Sequence, residues 1–145
     1  MRLRAMAKIN LGLDVVRKRE DGYHDVRMVM QTIRMYDFLE ITPKKSKGIF
    51  LTTNLPYVPV DERNLVYKAA KLLMDEFHVD DGVRIQLQKF IPVAAGMAGG
   101  SSDAAATLVG INRIFHLGLT PEELMRRGVA IGADVPYCIL RGTAL

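Results

Sequence analysis

The run Ile91-Pro92-Val93-Ala94-Ala95-Gly96-Met97-Ala98-Gly99-Gly100-Ser101-Ser102-Asp103-Ala104-Ala105-Ala106 has the residue types and spacing to hold a phosphate group. Its glycines let the backbone bend tightly and approach a bulky anion without Cβ clashes. The run opens into an Ala-rich, helix-forming segment, whose first N–H groups and dipole favour phosphate oxygens. Ser101 and Ser102 can cap that helix and also offer hydroxyls to a phosphate or a metal ion. Glycines alone would suit an ordinary strand-to-helix turn. The order Gly-x-x-Gly-Gly-Ser-Ser-x-Ala-Ala points instead to phosphate binding across Pro92, Val93, Ala94, Ala95, Gly96, Met97, Ala98, Gly99, Gly100, Ser101 and Ser102. No Lys follows the glycines, so this is not a Walker A loop. Ala98 stands where a dinucleotide fingerprint needs its second Gly.

Other candidates have both a chemical and a plain reading. Lys8 and Asn10 are alternate residues of one strand and share its polar face. Asp134, before Val135-Pro136, suits either a turn that bonds nearby backbone or a proton acceptor. His24 follows the turn Asp21-Gly22-Tyr23 and is either a proton acceptor or a turn residue. Lys89 closes a strand just before the glycine run, and Asn64 stands at a helix start where it suits an N-cap. Cys138 reads as a small core residue. Met28, Met30 and Met35 read as core filling, and neither His78 nor His116 has zinc-site spacing.

The elements that must position these residues follow from periodicity. Leu3, Ala5, Ala7, Ile9, Leu11, Leu13 and Val15 alternate with mostly polar neighbours, giving a strand with one buried face. A charged turn spans 17–23. Strands are expected at 26–33 and 38–42, with 49–53 as the hairpin partner of the latter across the basic turn Lys44 to Gly48. An amphipathic helix is expected near 63–78, a strand at 83–88 and a helix at 102–115. Thr120-Pro121-Glu122-Glu123 opens a further helix ending near Gly132. Residues 135–140 read as a last strand. This order predicts an α+β, two-layer sandwich.

The 145 residues suit one domain with a real core. A net charge of +4 suits an anionic ligand, a nucleotide or RNA. The single Cys excludes an internal disulfide and fits a reducing cytoplasm. No apolar run reaches membrane-spanning length, and the N-terminus lacks the apolar core of a signal peptide.

Ala7-Lys8-Ile9-Asn10-Leu11 with Asp21-Gly22-Tyr23-His24, the long glycine loop, and Gly132-Ala133-Asp134-Val135-Pro136 together resemble the GHMP kinase superfamily along the whole chain. They match the branch that acts on a cytidine-bearing polyol in non-mevalonate isoprenoid synthesis. Met97 stands where that branch usually has Leu. The resemblance implies a ribosomal protein S5 domain 2-like fold, with residues 1–145 as the N-terminal, ATP-binding domain of a two-domain enzyme. It implies ATP and Mg²⁺ as cofactors and a small-molecule acceptor, with no nucleic-acid or membrane partner. It makes Asp134 the base on the acceptor hydroxyl and Lys8 its cationic companion. Asn10, Tyr23 and His24 then serve the substrate, with Tyr23 stacked on cytosine, and Lys89 and Asn64 lie near the nucleotide. The alternatives are another GHMP kinase, such as a mevalonate or homoserine kinase, or an RNA- or ribosome-binding module of the same fold type. The Tyr23-His24 pair and the long glycine loop argue against the first. The lack of aromatics among basic residues argues against the second.

Overall fold

The computed structural model describes residues 1–144. Strand β1 (Arg2–Lys18) pairs antiparallel with β2 (His24–Lys44), and β4 (Gly82–Gln88) lies on the other side of β2. The outer strand β3 (Ile49–Thr53) runs parallel to β4, and a short β5 (Thr143–Ala144) pairs with β2. Along β4, Val83, Ile85 and Leu87 are buried while Arg84, Gln86 and Gln88 face solvent. One face of the sheet therefore carries the core, and helices α1 (Leu65–Glu76), α2 (Gly99–Ile114), α3 (Pro121–Gly128) and α4 (Val135–Leu140) supply the second layer. This is the expected two-layer α+β sandwich.

Several local expectations are corrected. The segments 26–33 and 38–42 belong to one continuous strand, because Arg34 to Asp37 stay extended through an irregularity in the β1–β2 ladder. Strand β3 is not the hairpin partner of 38–42. The apolar β4 takes the central place between them, so Lys44 to Gly48 steps across a neighbouring strand. The crossing is close: a Cβ on Gly82 would stand 1.9 Å from the Ser46 carbonyl oxygen.

Residues 135–140 form α4 and not a strand. Pro136 lacks the N–H a strand ladder needs, but that loss costs nothing in the first turn of a helix. Helix α3 ends at Gly128, short of Gly132. Its start is as expected, with Thr120 and Glu123 forming a reciprocal capping box. The apolar face of β1 is buried only at its N-terminal end. Leu11, Leu13 and Val15 are exposed, because β1 and β2 run on as a two-stranded ribbon. Met35 is likewise exposed, while Met30 packs against the core.

Candidate phosphate-binding site

Strand β4 runs straight into the glycine loop, which ends at the N-terminus of α2. A cleft of about 490 Å³ opens there, between the loop, the first turns of α1 and α2, and Asp134. Residues Pro92 to Ser101 line it, as do Asn64, Lys89 and Asp103. Ser102 does not.

The loop reverses direction through left-handed residues at Ala94 (φ 60°), Gly96 (φ 71°) and Ala98 (φ 54°). Alanine seldom takes this conformation, so the surrounding contacts must hold it. Ala98 occupies the N-cap position of α2 and has no side chain to cap it. The Ser102 N–H makes the first helical bond, to the Ala98 carbonyl at 2.8 Å. The N–H groups of Gly99, Gly100 and Ser101 therefore have no partner within the helix, at the positive end of a 16-residue dipole. The serines are not caps, contrary to expectation. Both lie inside the first turn, and the Ser102 hydroxyl donates to the Met6 carbonyl at 2.6 Å.

That bond and its neighbour come from a break in the β1 ladder. The pairing jumps from Met6–Tyr36 to Lys8–Thr32. A bulge of this kind frees backbone groups and re-aims side chains. The Met6 carbonyl accepts from Ser102, and the Lys8 N–H donates to the Met97 carbonyl at 3.1 Å. The same bulge turns the Lys8 side chain inward. Its Nζ donates to Asn10 Oδ1 at 3.1 Å and stands 3.7 Å from Asp134 Oδ2. Lys8 is buried and Asp134 half-exposed, so the carboxylate remains open to the cleft. A Cβ on Gly132 would stand 3.5 Å from Ser101 Oγ, so the turn carrying Asp134 lies against the loop serine. The structure thus brings together Lys8, Asn10, Asp134 and the glycine loop.

Lys89 is engaged differently. Its Nζ donates to Asp37 Oδ2 at 2.5 Å and to Asp103 Oδ2 at 2.8 Å, with all three residues buried. Asp37 Oδ1 accepts from the Phe90 and Ile91 N–H groups. Asp103 Oδ1 is buried with no hydrogen-bond partner among the described residues. Burial pushes the Asp103 carboxyl up to about 8; Lys89 opposes that rise and Asp37 adds to it. Burial by itself would lower the Lys89 pKa, but the two carboxylates outweigh it and raise it. Neither Asp37 nor Asp103 is marked by a motif. The available signal was an acid embedded in an otherwise apolar setting: Asp37 between Tyr36 and Phe38, Asp103 ahead of three alanines.

Asn64 is the N-cap of α1. Its Oδ1 accepts from the Val66 N–H at 2.9 Å and its Nδ2 donates to the Pro59 carbonyl, although it still lines the cleft. Tyr23 and His24 lie at the far tip of the β1–β2 ribbon, where His24 pairs with Lys18. The tip lies ten residues beyond Lys8 along a ribbon broken by further irregularities at Asn10–Gly12 and Val15–Arg17, and neither residue lines the cleft. Cys138 is buried, as expected, and burial, with Asp134 adding to it, pushes its thiol up to about 12.

Comparison with known proteins places this geometry. The family model described as GHMP kinases N terminal domain matches residues 64–142. The chain is 59% identical over its whole length to a 4-diphosphocytidyl-2-C-methyl-D-erythritol kinase from Lachnospira eligens, covering 50% of that protein. It is also 59% identical over 143 residues to the protein of that name from Lachnoclostridium phytofermentans, covering 49% of it. The chain spans about half the length of the curated relatives it matches. A crystal structure of 4-(cytidine 5'-diphospho)-2C-methyl-D-erythritol kinase superposes with TM-score 0.85 at 38% identity, over 97% of this chain and 49% of that one. The mevalonate kinase of Methanococcus jannaschii shares the fold, with TM-score 0.76 at 17% identity, over 99% of this chain and 52% of that one. The chain belongs to the GHMP kinases, with the architecture of their N-terminal domain.

Proposed function

We propose that the chain is the nucleotide-binding half of an ATP-dependent kinase that phosphorylates the 2-hydroxyl of 4-diphosphocytidyl-2-C-methyl-D-erythritol, in the cytoplasm. The observation that carries this reading is the uncapped N-terminus of α2 beside the Lys8–Asp134 pair. The free N–H groups of Gly99, Gly100 and Ser101 receive the ATP phosphates, as helix N-termini receive anions elsewhere. Asp134 accepts the proton of the acceptor hydroxyl, and Lys8 offsets charge on the transferring phosphoryl group. Asn10 fixes the Lys8 ammonium and lines up with the acceptor. Tyr23 and His24, at the ribbon tip, serve the cytidine end of the substrate.

The donor set fits a magnesium ion carried by the nucleotide. Among the described residues, no three His, Cys, Asp or Glu side chains form a metal cluster. Mg²⁺ commonly takes one or two protein donors and completes its shell with phosphate oxygens and water. Ser101, in the first turn of α2 and lining the cleft, would hold it through its hydroxyl, and the ion would supply charge neutralisation to the phosphates, leaving Asp134 for the acceptor hydroxyl.

The test is a chimera in which residues 1–145 replace the matching half of the Lachnospira eligens relative. The folded chimera should transfer phosphate from ATP to 4-diphosphocytidyl-2-C-methyl-D-erythritol, and not to mevalonate or homoserine. A folded chimera inert towards the first acceptor would overturn the assignment.

A further inference from the structure

The glycine loop carries three left-handed residues, two of them alanines, so something outside it must hold its shape. Its C-terminal end is tied to β1 through Met97 and Ser102. Its N-terminal stem is tied on three sides. The Asn54 side chain, just past β3, pairs with both the N–H and the carbonyl of Lys89, at 2.8 and 3.1 Å. Asp37, from β2, takes the next two N–H groups through one oxygen and Lys89 Nζ through the other. Asp103, from α2, accepts from the same Nζ at 2.8 Å.

We propose that Asp37, Lys89 and Asp103 form a buried clamp that sets the loop in its anion-binding conformation, with Asp37 and Asp103 as positioning residues and Lys89 serving the loop and not the ligand. Lys89 lines the cleft, but its ammonium is committed to Asp37 Oδ2 and Asp103 Oδ2. A Cβ on Gly99 would lie 3.1 Å from that ammonium, so the clamp sits directly beneath the first turn of α2. It joins β2, the loop stem and α2 at one point. Releasing it frees the stem while leaving the sheet and the helices intact.

Charge alone predicts the opposite behaviour, which makes the idea testable. Removing the Asp37 charge beside an anion site should tighten anion binding, and a freed Lys89 should tighten it further. A loosened loop should bind more weakly, because apparent affinity falls with the fraction of competent conformer. The ligand part of the test rests on the proposed nucleotide site; the exchange part does not.

Amide hydrogen exchange of Asp37→Asn, measured without ligand, should show faster exchange at Phe90, Ile91, Ser102 and Lys8, whose N–H groups are bonded to Asp37 or to the loop, with β4 and α1 unchanged. ATP titration of the same folded protein should show affinity about tenfold weaker or more, as expected if the competent loop falls to about a tenth of the population. Asp103→Ala, which leaves the Lys89–Asp37 pair intact, is the second variant should Asp37→Asn fail to fold, and should shift both readouts the same way. Unchanged loop exchange, or equal or tighter ATP binding, would overturn the clamp. Wild-type protein that fails to bind ATP would count against the nucleotide site, while the exchange data would still decide the clamp.

Discussion

Lys8 Nζ lies 3.7 Å from Asp134 Oδ2, although the two residues are separated by almost the whole chain. The bulge in β1 turns the lysine inward, and the short helix α4 places the aspartate at its N-cap position. The lysine is buried, but the carboxylate faces the cleft. The placement suits the proposed roles, because a base must reach substrate while a charge that assists it works better out of water.

In the chimera, Asp134→Asn and Lys8→Ala should therefore depress turnover far more than ATP affinity. General-base assistance is typically worth on the order of 10²–10⁴ in rate. Steady-state kinetics with a parallel ATP titration would check the split. Near wild-type turnover in Asp134→Asn would reduce Asp134 to a structural turn residue.

The buried carboxyl of Asp103 makes stability pH-dependent. Its pKa rises from 3.8 to about 8 on folding, so the folded state binds more protons between those values. Stability from this group is then present in acid and lost as pH rises from about 4 through about 8. Denaturant titrations across that window should show the decline, and Asp103→Asn should flatten it. An unchanged slope in Asp103→Asn would place the pH dependence elsewhere.

The Cys138 thiol, pushed up to about 12, should resist alkylation at pH 8 in the folded protein and react once the chain unfolds. Iodoacetamide labelling read by mass, with and without denaturant, distinguishes the two. Rapid labelling of the native protein would contradict the buried placement.

Much of this site is legible in the sequence, and the gaps have physical causes. The glycine run before a helix and the N-cap roles of Asn64 and Thr120 follow from local spacing and stand in the structure; Lys8 and Asn10 do meet, but the β1 bulge turns Lys8 inward where period two puts it on the outer face. The helical state of 135–140 lies in Pro136, whose meaning depends on whether its missing N–H falls in a ladder or in a first turn. The placement of β3 beside β4 depends on which apolar strand takes the centre of the sheet, a tertiary outcome that no local pattern encodes. The Asp37–Lys89–Asp103 cluster joins residues 52 and 14 positions apart, so only the fold brings it into view.

The central claim is that the uncapped start of α2 receives the phosphates of ATP. The most direct measurement is a titration of ATP with Mg²⁺ into the 145-residue chain, read by backbone amide chemical shifts. Shifts should concentrate at Gly96 to Ser102. They should vanish in Gly99→Val, where even the first added carbon would stand 3.1 Å from both Ile91 Cγ2 and Lys89 Nζ. Shifts centred outside the loop, or unchanged affinity in a folded Gly99→Val protein, would contradict the account.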